Sequence, residues 1–325
     1  MNNNNKKISA LLSEYAAFIA LILLALGLCA ISPEFRQVSN LLNLLRQAAF
    51  NGLIAIGMTC VILSDGIDLS VGSVFALAAI ICAEMLVSGI AAPVAILAAL
   101  AIGTLLGLVS GILVAKFRLQ AFIATLITMT AYRGMAMIIT DGKPISRLAN
   151  SIESESGAFL FKALGKGNLL IGESFKIPLP ALILLALFGI FYFILNHTTF
   201  GRRIYATGSN AKCAKLVGVD TVKTKISVYA ISGFLSALAG LMMISRVDSA
   251  QPTLGSGYEL DAIAAVALGG TSMSGGRGKI TGTIAGVLII AMLNNGLNIL
   301  GVTSYYQDVI KAIVILVAVL ADRKR

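Results

Sequence analysis

The chain has 325 residues, of which 58% are apolar and 12% charged, about half the charge of an average soluble domain. That balance excludes a water-covered exterior and leaves an integral membrane protein, since ten helices of ~20 apolar residues each fit within this length. The net charge of +10 is accounted for by membrane topology, and no nucleic-acid surface is read from it.

The first apolar run, Tyr15 to Ser32, follows Lys6 and Lys7 and is longer than the ~7 to 15 residues of a signal-peptide core. More spans follow, so it reads as a retained first helix. Cys29 carries no lipidation signal, because Leu28 stands where a lipoprotein box wants a small residue. Further spans are predicted at 46–64, 70–89, 93–115, 120–139, 178–196, 226–245, 258–270, 281–300 and 305–321. The stretch 258–270 is too short to cross as a straight helix and runs into GGTSMSGGRG. It reads as a broken or half helix, buried where protein or water satisfies its backbone.

Positive charge gives the orientation. With the amino terminus inside, Lys6, Lys7, Lys116, Arg118, Arg202, Arg203, Lys212, Lys215, Lys223, Lys225, Arg277, Lys279, Arg323, Lys324 and Arg325 are cytoplasmic. The long loop at 141–177 then lies outside, where Asp141, Glu153, Glu155 and Glu173 offset its cations. An all-α integral membrane protein of about ten transmembrane helices, with both termini cytoplasmic and the whole of 1–325 forming one transmembrane domain, fits best. No connecting segment exceeds about forty residues, too few for a separate globular domain of ~50 to 200.

Several motifs bear on chemistry. Gly103, Gly107 and Gly111 put bare backbone on one helix face, for packing within the subunit or, as the weaker reading, along a dimer seam. SDGIDLSVGS, Ser64 to Ser73, places Asp65, Asp68 and Ser70 between two spans. Capping of the next helix is the strongest physical reading; lining a polar pathway and binding a coupling ion remain alternatives. The second break, Gly269 to Gly278, falls in the other half of the chain, and paired breaks point to a route near the midplane. Glu84 and Arg133 sit near outer span ends and are expected to snorkel to the headgroups, and Lys311 lies one turn from Asp308. Asn294, Asn295 and Asn298 bring amides into the ninth span, for interhelical packing or for lining a pathway.

Other chemistry is poorly supplied. Cys29, Cys60, Cys82 and Cys213 show no metal-ligand spacing, and His197 has no second histidine. GGRGK at 275–279 is not a phosphate loop, because Ile280 follows the lysine and Met273 takes the first glycine position. No catalytic residue, metal or cofactor is assigned. The loop between the sixth and seventh spans, FGRRIYATGSNAKCAKLVGVDTVKTK at 200–225, contains a helix-like stretch from Asn210 to Leu216, opened by a Ser209 or Asn210 cap and closed by Gly218. From spacing alone, it is equally a docking element or a positive-inside loop.

Together these residues resemble the membrane-spanning permease subunits of bacterial ABC importers for ribose and related monosaccharides. The resemblance runs through GMTCVILSDGIDLSVGS at 57–73, LQAFIATL at 119–126, GRRIYATGSN at 201–210, SAQPTLGSGYELDAIAAVALGGTS at 249–272 and LNNGLNILGVTSYYQ at 293–307. It implies a multi-pass protein of the bacterial inner membrane that forms a homodimer, with 141–177 periplasmic. Sugar would arrive from a periplasmic sugar-binding protein, and ATP would be bound and hydrolysed by a cytoplasmic ABC ATPase subunit. The docking element would be the 200–225 loop, through Gly201, Tyr205, Gly208, Asn210, Ala214, Leu216 and Gly218. Import of a monosaccharide by alternating access is the implied function. The alternative is an ion-coupled secondary transporter for a small polar solute, using Asp65 and Asp68.

Overall fold

The structure is a computed structural model that describes residues 16–171 and 175–322. Lys6, Lys7, Glu173, Arg323, Lys324 and Arg325 lie outside the described residues, and with them the expected side of each terminus. In chain order the helices are α1 (Ala16–Ile31), α2 (Val38–Leu63), α3 (Val71–Val87), α4 (Ala92–Ala115) and α5 (Ala121–Thr140). Next come β1 (Ile145–Ser146), α6 (Glu155–Lys166), β2 (Asn168–Ile171) and β3 (Phe175–Pro178). The chain continues through α7 (Leu179–His197), α8 (Thr199–Ser209), α9 (Ala211–Leu216), α10 (Thr221–Val247), β4 (Ser249–Ala250), α11 (Tyr258–Leu268), α12 (Ile280–Ile299) and α13 (Ser304–Asp322).

A helix forms at every predicted span, but the count of ten crossings is not reached on length and hydropathy. Among the described residues, α2, α4, α5, α7, α10 and α12 are long and apolar enough to cross a membrane, while α1 and α3 are shorter apolar helices. The 11-residue α11 spans only ~16 Å at 1.5 Å per residue, half a bilayer core, in keeping with a half helix.

The 27-residue α10 is the packing hub, because glycines let it approach its neighbours at backbone distance. Gly103, Gly107 and Gly111 of α4 abut Ala237, the Tyr229 carbonyl and Ile226 of α10, and any Cβ there would collide. The glycine stripe is thus spent on packing within the chain. Lipid receives the other faces, where Leu23 and Leu26 of α1, Leu97 and Leu105 of α4, Ile127 and Ile138 of α5 and Leu185 and Phe193 of α7 are exposed.

Alternating helix directions gather the connections at two ends. The basic end carries 64–70, 116–120, 198–220 and 269–279; the opposite end carries 32–37, 88–91, 141–178 and 300–303. Two connections leave these ends and enter the bundle. Residues 64–70 run inward until Asp68 meets Ser232 near the middle of α10 (2.9 Å). From the opposite end, 251–257 runs inward until Gly255 abuts Gly72 and Phe75 of α3.

Irregular backbone at that depth must find partners inside the protein. Tyr229 Oη and Thr125 Oγ1 donate to the Ile67 carbonyl (3.0 and 3.3 Å). Arg133 Nη1 donates to the carbonyls of Pro252 and Leu254 (2.5 and 2.8 Å). Arg133 is therefore turned inward and does not reach for the headgroups, since those free carbonyls offer it acceptors that lipid tails do not. The segment 141–177 also departs from a plain loop: α6 and the β2–β3 hairpin fold there, and β1 pairs with β4.

Candidate functional site

Polar residues converge in two places. The first is a cavity of about 250 Å³ toward the opposite end, lined from α2 by Gln47, Phe50 and Asn51, from α10 by Arg246, from α11 by Tyr258 and Asp261, from α12 by Asn294 and Asn298, and from α13 by Gln307 and Lys311. Its size lies just under the ~300–1,000 Å³ of drug-sized ligand sites and matches a small polar molecule.

The chemistry of its wall follows from how charge is disposed in it. Asp261 is 6% exposed; its carboxylate lies 3.7 Å from the Lys311 ammonium, which also pairs with Asp308 at 3.1 Å. Asn294 Nδ2 donates to Asp261 at 3.5 Å. The two acids thus share one ammonium inside the wall. Arg246 sits over the Phe50 ring, its guanidinium 5.7 Å from the centroid. Asn51 Oδ1 and Asn294 Oδ1 are buried without a hydrogen-bond partner. Buried acceptors of this kind cost free energy while they lack a donor; the amides of Asn51, Asn294 and Asn298 give the wall hydrogen-bonding groups that suit a small polar molecule.

The asparagines of α12 divide accordingly. Asn294 and Asn298, one turn apart, both face the cavity, and Asn298 accepts from Gln307 at 2.8 Å. Asn295 faces away and exchanges two hydrogen bonds with Asn40 of α2 (3.0 and 2.8 Å).

Asp65, Asp68 and Ser70 stand apart from this cavity. Asp68, 1% exposed, accepts from the Ser70 amide and hydroxyl at Oδ1 (3.0 and 2.6 Å) and from the Ser232 hydroxyl at Oδ2. It ties the turn before α3 to α10, but the capping expected from the sequence is not formed: α3 begins after Ser70 without a side-chain cap, because the Asp68 oxygens are taken by Ser70 and Ser232. Ser70 also lies 3.4 Å from Ser110. Asp65, at φ +61°, lies at the basic end, 3.7 Å from Lys225.

The second place is the basic end around α8 and α9. Asn210 Oδ1 accepts from the amides of Lys212 and Cys213 (both 3.0 Å), capping α9. Gly218 closes it at φ +85°, with the Val219 amide reaching back to the Ala214 carbonyl at 2.9 Å, the closure that only a residue free to adopt positive φ allows cheaply. Asp220 Oδ1 then caps α10 through the Lys223 amide (2.9 Å), a bond that holds its carboxyl below the usual carboxylate range. The 200–225 segment is more helical than its sequence foretells, since α8 fills its first half and α10 begins inside it.

The residues expected to dock sort by direction. Gly201 lies against the carbonyls of Ile194 and Leu195, and Gly208 against the Leu63 carbonyl, too close for any Cβ. Tyr205 Oη donates to the Gly278 carbonyl at 3.0 Å. Ala214 is 3% exposed and packs inward, whereas Leu216 and its neighbour Val217 are 87% and 79% exposed. The outward apolar face of α9 is therefore Leu216 and Val217. Against α8 the 269–279 loop is clasped: its Gly276 amide donates to the Leu63 carbonyl at 3.0 Å, and Gly275 and Gly276 abut Asp65 and Ser209. A shift of α8 thus bears directly on the end of α2 and on the loop that follows α11.

Sequence reasoning left out Asn51, Arg246, Asp261 and Val217. Asn51 carried the same signal as Asn294, an amide inside an apolar span, and Asp261 was the acid of the broken span.

Comparison with known proteins places these features. Residues 40–319 match a family described as branched-chain amino acid transport system / permease component. The chain is 51% identical over 319 residues to the ribose import permease protein of Haemophilus influenzae, covering 98% of this chain and 96% of that one. It is 49% identical over 314 residues to the ribose import permease protein of Bacillus subtilis (97% and 94%) and 48% identical over 316 residues to that of Escherichia coli (97% and 95%). No solved structure matches the chain.

Proposed function

The chain belongs to this family of transport-system permease components, and we propose that it is the membrane-spanning subunit of an ATP-driven importer that carries a monosaccharide, ribose or a similar pentose or hexose, from periplasm to cytoplasm. The near full-length identity to ribose import permeases of three organisms carries this reading. The cavity agrees with it: its asparagine and glutamine amides, beside an Asp261 carboxylate paired with Lys311, suit a polyol.

The subunit lies in the inner membrane as a homodimer with ten crossings and both termini cytoplasmic, α11 and the descending 251–257 segment together making one of the crossings. A cytoplasmic ABC ATPase subunit binds ATP and docks on α9, and a periplasmic sugar-binding protein delivers the sugar, so this chain needs no cofactor of its own. Closure of the ATPase pair moves α8 and α9. The clasp at Leu63, Tyr205 and Gly276 passes that motion to α2 and α11, which both line the cavity, and the route changes the side it faces. Ion coupling would have to draw on Asp65 and Asp68, whose oxygens are engaged by Lys225 and by Ser70 and Ser232.

Uptake of labelled pentoses, hexoses and leucine in a permease-deficient strain tests the reading. Saturable sugar uptake that requires a co-expressed ATPase and binding protein is expected, with no leucine uptake. Uptake that survives loss of the ATPase and collapses with a proton or sodium uncoupler would refute it.

A further inference from the structure

A cleft of about 480 Å³ opens at the basic end between α9 and the link from α4 to α5. Its charged residues are Arg118, Lys215, Lys225 and Asp65. The acid is already committed, because the Lys225 ammonium donates to the Asp65 carbonyl at 3.0 Å and lies 3.7 Å from its carboxylate. Arg118 and Lys215 have no acidic partner among the described residues. The α5 helix starts in the cleft wall, at Gln120, without a side-chain cap, which further favours negative charge there.

The flank of the cleft is apolar and exposed. Phe117 and Phe122 are 66% and 49% exposed. From Phe122 a stripe of exposed side chains, Ile123, Leu126 and Ile127, runs along α5 toward the middle of the bundle. A basic pocket at a helix end, joined to an apolar track along the same helix, matches one molecule with a phosphate at one end and acyl chains at the other.

We propose that this cleft is a binding site for an anionic phospholipid of the adjoining leaflet, with its phosphate between Arg118 and Lys215 and its chains along the Phe122 to Ile127 face of α5. Because Lys215 belongs to α9 and Arg118 to the link before α5, the lipid bridges the helix that carries Leu216 to the membrane-embedded bundle. Anionic lipid thereby stabilises one position of α9. The reading needs neither the sugar nor the ATPase, so its test is independent of theirs.

The whole chain, purified in mild detergent and exchanged into nanodiscs holding phosphatidylglycerol and phosphatidylcholine, is assayed for co-retained lipid by native mass spectrometry. Each cation near a membrane surface contributes roughly a fivefold preference for anionic lipid, so the Arg118→Gln, Lys215→Gln pair should lower phosphatidylglycerol retention about twenty- to thirtyfold. The Arg202→Gln, Arg203→Gln pair removes the same charge from exposed positions of α8 outside the cleft and should leave retention within twofold. Equal loss in both pairs would show diffuse surface attraction and overturn the site. Displacement of the lipid by millimolar inorganic phosphate would assign the cleft to a soluble anion and overturn the lipid as its occupant.

Discussion

Asp68 has every contact it makes supplied by a donor: the Ser70 amide and hydroxyl on one oxygen, the Ser232 hydroxyl on the other. The position therefore needs acceptors more than it needs charge. In Asp68→Asn the remaining oxygen keeps both Ser70 bonds, and the new amide can donate to Ser232, whose hydroxyl also accepts. Its unfolding midpoint in detergent should stay within a few degrees of the wild type, with transport retained. Asp68→Leu removes both acceptor oxygens and with them the three hydrogen bonds that hold the turn before α3, at a cost of about 2–4 kcal/mol, read as a clear drop in that midpoint. A wild-type midpoint with lost uptake in Asp68→Asn would instead give the carboxylate a part in transport. Asn294 is the contrasting case, since its Oδ1 has no partner and its Nδ2 makes one long bond, 3.5 Å, to Asp261. Asn294→Ala should lower the midpoint only slightly and lower sugar uptake several-fold, the worth of one hydrogen bond to a neutral ligand; unaltered uptake would remove the cavity from the sugar route.

Among the helices, α9 shows what sequence conveys and what it withholds. Its cap, its length and its closure were legible, because Asn210 and Gly218 act through bonds to residues within five positions of themselves. Its facing was not legible, because which side of a six-residue helix is buried depends on α8 and α10, against which it packs. Ala214 was expected on the docking face and is instead buried in the chain's own structure. The two kinds of substitution consequently separate. Leu216→Asp, or Val217→Asp, should abolish copurification of the ATPase and sugar-stimulated ATP hydrolysis with the unfolding midpoint unmoved, since few central apolar anchors carry such a contact. Ala214→Glu should lower the midpoint as well, by burying a charge. A Leu216→Asp protein that couples normally would show that α9 docks nothing.

Across the whole molecule, the helices that face lipid were the most legible, because an apolar surface on every side needs no knowledge of partners. Elements read through their neighbours were not. The α6 and α8 helices mix polar and apolar residues, as does the β2–β3 hairpin, within segments that charge alone marked as loops, and the cavity gathers side chains from positions 47 to 311. The proposed orientation rests on the charge of the two ends: Lys116, Arg118, Arg202, Arg203, Lys212, Lys215 and Arg277 share one end with only Asp65 and Asp220 as exposed acids, whereas Asp141, Glu153, Glu155 and Asp248 temper the other. By the positive-inside rule the first end is expected on the cytoplasmic side. With the half-buried Cys29 replaced by serine, the protein carries its own reporter of this, since Cys213 on α9 is exposed while Cys60 and Cys82 are buried. A membrane-impermeant maleimide should leave Cys213 unmodified in intact spheroplasts and label it once the membrane is broken. Lys162 lies exposed on α6, so Lys162→Cys in a Cys29→Ser, Cys213→Ser background should label in intact spheroplasts. The reverse pattern would invert the molecule in the membrane, putting α9 out of reach of any cytoplasmic ATPase.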